Sequence, residues 1–85
     1  MKEFTYVIKD ELGIHARPAG LLAKEAKAFS SVVTVAKAGN AVKATQLMKL
    51  MSLGVKKGDE VTVAADGADE DAAIAALKAF FEANL

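Results

Sequence analysis

Apolar and polar positions alternate along this chain with periods that change at recognisable punctuation. Phe4-Thr5-Tyr6-Val7-Ile8 joins β-branched and aromatic residues ahead of the polar Lys9-Asp10-Glu11, which predicts a strand over 4–8 and a loop reaching to about His15. From Ala16 to Phe29, Leu22, Ala26 and Phe29 fall at i, i+4 and i+7 among good helix formers, the stripe of an amphipathic helix. Val33 and Val35 then alternate with Val32, Thr34 and Ala36, and Gly39-Asn40 offers a tight turn into Ala41-Val42-Lys43. That pattern predicts a hairpin.

Thr45 to Leu53 carries Leu47, Met48, Leu50 and Met51 ahead of Gly54, so a short helix is predicted there, with Thr45 as a candidate cap and Gly54 as its left-handed stop. Gly58 opens a strand over Glu60–Ala64, and Asp66-Gly67 closes it. Asp69-Glu70-Asp71 put negative charge where a helix start favours it, with Ile74, Leu77 and Phe81 following at helical spacing. The order β-α-β-β-α-β-α is α+β. Two interleaved split β-α-β units around one sheet satisfy it, with helices on one face and the other face open. A ferredoxin-like sheet and a related open-faced sandwich both fit, and periodicity does not choose the strand order.

Residues 1–85 are expected to form a single domain with one core, in which nearly every Val, Ile, Leu and Phe is used. Eleven Lys and Arg balance eleven Asp and Glu, which removes the whole-chain field that general nucleic-acid or anionic-membrane binding exploits. The absence of Cys excludes disulfide scaffolds and thiolate chemistry. The apolar run Tyr6-Val7-Ile8 is too short for the core of a signal peptide, and no stretch is long and apolar enough for a membrane span. A cytoplasmic, monomeric domain is the expectation. The zero net charge conceals an asymmetry: residues 1–57 hold ten basic and four acidic side chains, residues 58–85 one and seven. Arg17, Lys24 and Lys27 share an arc of roughly 80° on the first helix, a basic stripe that by itself is ordinary solvated surface.

Gly13-Ile14-His15-Ala16-Arg17-Pro18-Ala19 brings the only His, the only Arg and the only Pro within four residues, at a loop-to-helix junction. A His there lies beside the free N–H groups of the first helical turn, a ready anion site, and Arg17 adds a guanidinium fork suited to phosphate oxygens. These positive groups disfavour an imidazolium and leave a neutral nitrogen as a nucleophile. Other chemistry finds less support. A lone His without Cys makes no metal site, and no cofactor is implied. There is no Gly-x-Ser-x-Gly elbow and no evident acid to orient the His. Gly54-Val55-Lys56-Lys57-Gly58 lacks the spacing of a nucleotide loop.

Gly13–Ala19, followed some thirty residues later by Leu47-Met48-Lys49-Leu50-Met51-Ser52-Leu53-Gly54, resembles the HPr family, the histidine-containing phosphocarriers of the bacterial phosphoenolpyruvate:sugar phosphotransferase system. The likeness covers the whole chain. It implies an open-faced sandwich in which a four-stranded antiparallel sheet, order 1-4-2-3, carries three helices on one face. It implies phosphorylation of the δ nitrogen of His15 by enzyme I and transfer to a IIA component of a sugar permease, with Arg17 and the backbone N–H groups of Ala16 and Arg17 holding the phosphoryl group. Such a protein is a covalent relay and not an enzyme on its own. Leu47, Met48 and Met51 match the family's docking surface, which Lys24, Lys27 and Lys49 would rim with positive charge; Leu47 and Met48 are expected exposed and Leu50 buried. At Gln46 many Gram-positive members carry a regulatory serine, so that second phosphorylation is not expected here. A nitrogen-related branch of the same family, or a regulatory binding module on the same fold, are the alternatives.

Overall fold

A computed structural model describes residues 1–85. The strands are β1 (Lys2–Val7), β2 (Val32–Lys37), β3 (Asn40–Lys43) and β4 (Glu60–Asp66), and the helices are α1 (Ala16–Lys27), α2 (Leu47–Ser52) and α3 (Glu70–Asn84). The sheet is antiparallel in the order β1-β4-β2-β3. β4 thus lies between the first strand and the hairpin, pairing Phe4 with Val63 on one side and Val35 with Val63 on the other.

Period-two alternation decides which face is covered. Val33, Val35, Val61, Val63 and Ala65 are buried on the helix side, together with Ala19, Leu22 and Ala26 of α1, Leu50 of α2 and Ala73, Leu77 and Phe81 of α3. The Phe81 ring takes Phe4 and Tyr6 edge-on at centroid distances of 5.8 and 5.6 Å, which ties α3 to β1. On the opposite face Val7 and Val32 are half exposed. The expectation that nearly all large aliphatic residues are core therefore fails at Val7 and Val32 on the sheet and at Leu12 and Leu21 on the β1–α1 loop and α1, whereas Leu47 is exposed as expected. A second layer of helices would have covered Val7 and Val32; a sheet with helices on one face alone leaves those two in water.

Several element edges shift. β1 starts at Lys2 and ends at Val7, because Ile8 turns its N–H to Asp59 O and its carbonyl to Gly58 N–H while its side chain stays in the core. α1 stops at Lys27, leaving Phe29 beyond its end and packed on the core. The hairpin turns at Ala38-Gly39, both with positive φ (51° and 84°), so Asn40 already pairs with Lys37; two left-handed residues match the twist of the flanking strands. α2 is only six residues, capped by Gln46 without a side-chain bond, and Thr45 does not cap it. Gly54 ends it with φ 66° as expected. β4 runs on through Ala65 to Asp66.

Candidate functional site

The loop between β1 and α1 is held from two sides. Ile14 N–H donates to Val55 O at 3.2 Å, and Gly13, with φ 65°, lies so close to the 55–56 backbone that a Cβ would sit 2.1 Å from Val55 O. Only glycine fits that approach. On the other side Leu85 O accepts the N–H groups of Lys9 and Asp10. The end of α3 and the segment after α2 thus fix the seven residues that deliver His15 to the start of α1.

His15 is the N-cap of α1, in an extended conformation, and its carbonyl accepts the first intrahelical bond from Ala19 N–H at 2.9 Å. Ala16 and Arg17 N–H precede that bond and have no helical acceptor, and Pro18 has no N–H to offer. No acidic residue occupies this first turn, so nothing on the helix competes for an anion at its positive end. The Arg17 side chain is exposed and makes no ion pair.

His15 and Arg17 line a shallow cleft of about 30 Å³ with Asp10, Pro18, Leu21 and Asn84. The imidazole is about one-third exposed, and its Nε2 lies 4.0 Å from Asp10 Oδ1. This is the acid that sequence reading did not find beside the His. Asp10 Oδ1 is itself oriented by Leu12 N–H at 2.8 Å, an Asx-type turn that Asp is suited to make. Asn84 was also missed: its amide donates to Phe80 O at 3.0 Å while the side chain lines the cleft. Asp10 was readable as a carboxylate five residues before the His in a loop, but Asn84 reaches the site only through the packing of α3.

The remaining residues singled out in the sequence form an exposed surface on α1 and α2. Met48 is 75% exposed, with Leu47 and Met51 each near 40%, whereas Leu50 is fully buried. Lys24, Lys27 and Lys49 are exposed and unpaired with acids, as Arg17 is. Leu21 (42% exposed) lines the His15 cleft and Leu12 (69%) is exposed on the loop before it, both of which the hydrophobic pattern assigns to the core. A larger hollow of about 330 Å³ lies at the far end of α1, lined by Ala26, Lys27, Phe29, Ser31, Val33, Lys43 and Thr45, and it contains neither His15 nor Arg17. No three His, Cys, Asp or Glu side chains converge, and no helix is long and apolar enough to cross a membrane.

Comparison with known proteins gives the family of the chain. Residues 2–83 match the family model described as the PTS HPr component phosphorylation site. The phosphocarrier protein HPr of Mycoplasma genitalium is 51% identical over 85 residues, 99% of this chain and 97% of that protein. Among solved structures, HPr from Thermoanaerobacter tengcongensis superposes with a TM-score of 0.93 at 46% identity, covering 98% of this chain and 93% of the other. A dimer of HPr from the same organism gives a TM-score of 0.77 at 46% identity, with 98% and 95% covered.

Proposed function

The chain belongs to the HPr family of phosphocarriers of the phosphotransferase system, and from that premise we propose that it accepts a phosphoryl group on His15 from phosphorylated enzyme I and passes it to the IIA component of a sugar permease. The observation that carries this reading is the cleft at the start of α1, where one imidazole, one unpaired guanidinium and two unclaimed backbone N–H groups meet.

Each part has a task. A ring nitrogen of His15 attacks phosphorus, and the leaving group departs from the opposite side with its electron pair. The phosphoryl oxygens then meet the Arg17 fork and the Ala16 and Arg17 N–H groups, donors already in place before the group arrives. Because the cleft is shallow and Arg17 is solvated, stabilisation is moderate. That suits a relay, which must release what it accepts and turns over only with its partners. Leu47, Met48 and Met51 supply the apolar centre of the docking surface and Lys24, Lys27 and Lys49 its basic rim, a pattern that fits acidic partners. Met adapts to more than one partner surface. The relay works in the cytoplasm, as a monomer. Gln46 at the N-cap of α2 offers no hydroxyl, so the regulatory serine phosphorylation of other members has no acceptor at this position.

Incubation with enzyme I and phosphoenolpyruvate, followed by intact mass, tests the reading. One phosphoryl group, labile in acid and stable in alkali as a P–N bond is, is expected on the parent protein and none on His15→Ala. Phosphate on the alanine variant overturns it. Transfer onward to sugar-specific IIA proteins, and not to their nitrogen-related counterparts, assigns the branch.

A further inference from the structure

The geometry points to Asp10 as a positioning residue for phosphoryl transfer: its carboxylate holds the proton of His15 on Nε2, leaves the lone pair on Nδ1, and faces the ring nitrogen that becomes positive when the phosphoryl group is bound. This rests on His15 being the acceptor.

Three observations converge on it. Asp10 Oδ1 is 4.0 Å from Nε2, beyond hydrogen-bond length but within ion-pair range, so a small rotation of the His15 ring toward the fixed carboxylate closes the contact. The same oxygen accepts Leu12 N–H at 2.8 Å, and the Asp10 N–H donates to Leu85 O at 2.8 Å; side chain and backbone are therefore both fixed before any partner binds. Both groups are only about one-third exposed, and both line the cleft that contains Arg17.

The charge balance of the step explains what the acid does. A neutral imidazole with N–H at Nε2 attacks through the Nδ1 lone pair. The new P–N bond takes that pair, the donor's bond to phosphorus breaks with its electrons leaving on the donor, and no proton moves. The product is an imidazolium bearing a phosphoryl dianion. Positive charge has appeared on the ring and the negative charge of the phosphoryl group has been brought to the protein. Arg17 and the helix start are suited to the phosphoryl side, and Asp10 is the one acid within ion-pair reach of the ring. The opposite tautomer would put the lone pair on Nε2, facing a carboxylate, where repulsion disfavours both the lone pair and an incoming phosphoryl group.

Asp10→Asn isolates the charge, because the amide oxygen can still accept Leu12 N–H and keep the loop. In protein labelled with 15N in the imidazole, ring nitrogen shifts at a pH where His15 is neutral report the tautomer without any phosphate or partner. Nε2–H is expected to dominate in the parent and to lose ground to Nδ1–H in Asp10→Asn. Phosphorylation of the variant by enzyme I should be slower by about three- to ten-fold, the scale of a partly exposed charge contact, and Asp10→Glu should recover part of both effects. A parent protein in the Nδ1–H form, or a variant with unchanged tautomer ratio and unchanged rate, overturns the role of Asp10. The tautomer ratio is read without phosphate or partner, so it succeeds or fails independently of whether His15→Ala abolishes phosphorylation.

Discussion

Gly13 and Val55 approach so closely that the space a side chain would need on Gly13 is filled by the Val55 carbonyl, and this contact, with the Ile14–Val55 hydrogen bond, ties the loop that carries His15 to the segment after α2. Gly13→Ala is opposed twice, by φ 65° and by an oxygen 2.1 Å from the new Cβ. A loss of about 2–4 kcal/mol in urea unfolding is expected, from left-handed strain plus the broken Ile14–Val55 bond, with slower phosphorylation of whatever remains folded. Gly54→Ala is the control. It shares a positive φ (66°) but meets nothing within 4 Å, so it should cost only about 1–2 kcal/mol.

Asp69 makes stability depend on acid. Its carboxylate accepts the Ser31 hydroxyl and the N–H groups of Ser30 and Ser31, and the Ser31 hydroxyl first, then the Ser30 N–H, hold its pKa down from 3.8 to about 2. The folded value is below the unfolded one, so the contribution is complete above about pH 4 and disappears as pH falls toward 2. Asp69→Asn should therefore be less stable than the parent at pH 6, with the gap narrowing toward pH 2.5. Urea midpoints across that range check it; a constant gap would remove Asp69 from the acid response. Lys37, bonded to Asp59 at 2.8 Å, lowers the Asp59 pKa in the same direction.

Arg17→Ala should leave the fold unchanged, since the side chain is exposed and pairs with no acid. Single-turnover transfer should slow by about ten-fold or more in each direction, the lower end of what a charge-assisted phosphate contact contributes. Arg17→Lys keeps the charge without the fork and should fall between. Equal rates for all three proteins would leave only the backbone N–H groups to hold the phosphoryl oxygens.

Docking separates into two readouts. Met48→Ala removes an apolar group that is 75% exposed, so stability should change by less than about 0.5 kcal/mol while dissociation from enzyme I quickens. Lys24→Glu with Lys27→Glu should instead slow association and flatten its dependence on ionic strength. Stopped-flow binding at two salt concentrations resolves them. Association indifferent both to salt and to the double reversal would mark the lysines as solvated bystanders.

Much of this was legible in residue pattern. Alternation in Val33 and Val35, the Leu22–Ala26 stripe and the Leu77–Phe81 pair located the core, because a single sheet covered on one face leaves each element one buried side. His15 and Arg17 stood out as the only residues of their kind at a helix start. The members of the cleft that escaped were those supplied by tertiary packing: Asn84 arrives from the far end of α3, and Asp10 gains its meaning only once Leu85 O anchors its backbone. Leu12 and Leu21 misled for a related reason. Exposed hydrophobic residues look like core to any rule that knows composition but not the boundary of the fold.

The position of β4 between β1 and β2 also sets the order of events as the chain folds. The β2–β3 hairpin closes through the two residues Ala38-Gly39 and can form early from neighbours in sequence. β1 has no such neighbour: its only strand partner begins at Glu60 and must be inserted between two elements that precede it. Until that long loop is closed, the segment that carries Asp10 and His15 has no sheet to hang from. The His15 cleft is thus expected to complete late in folding, and in a refolding time course the protection of β1 amides should appear no earlier than that of the β2–β3 hairpin.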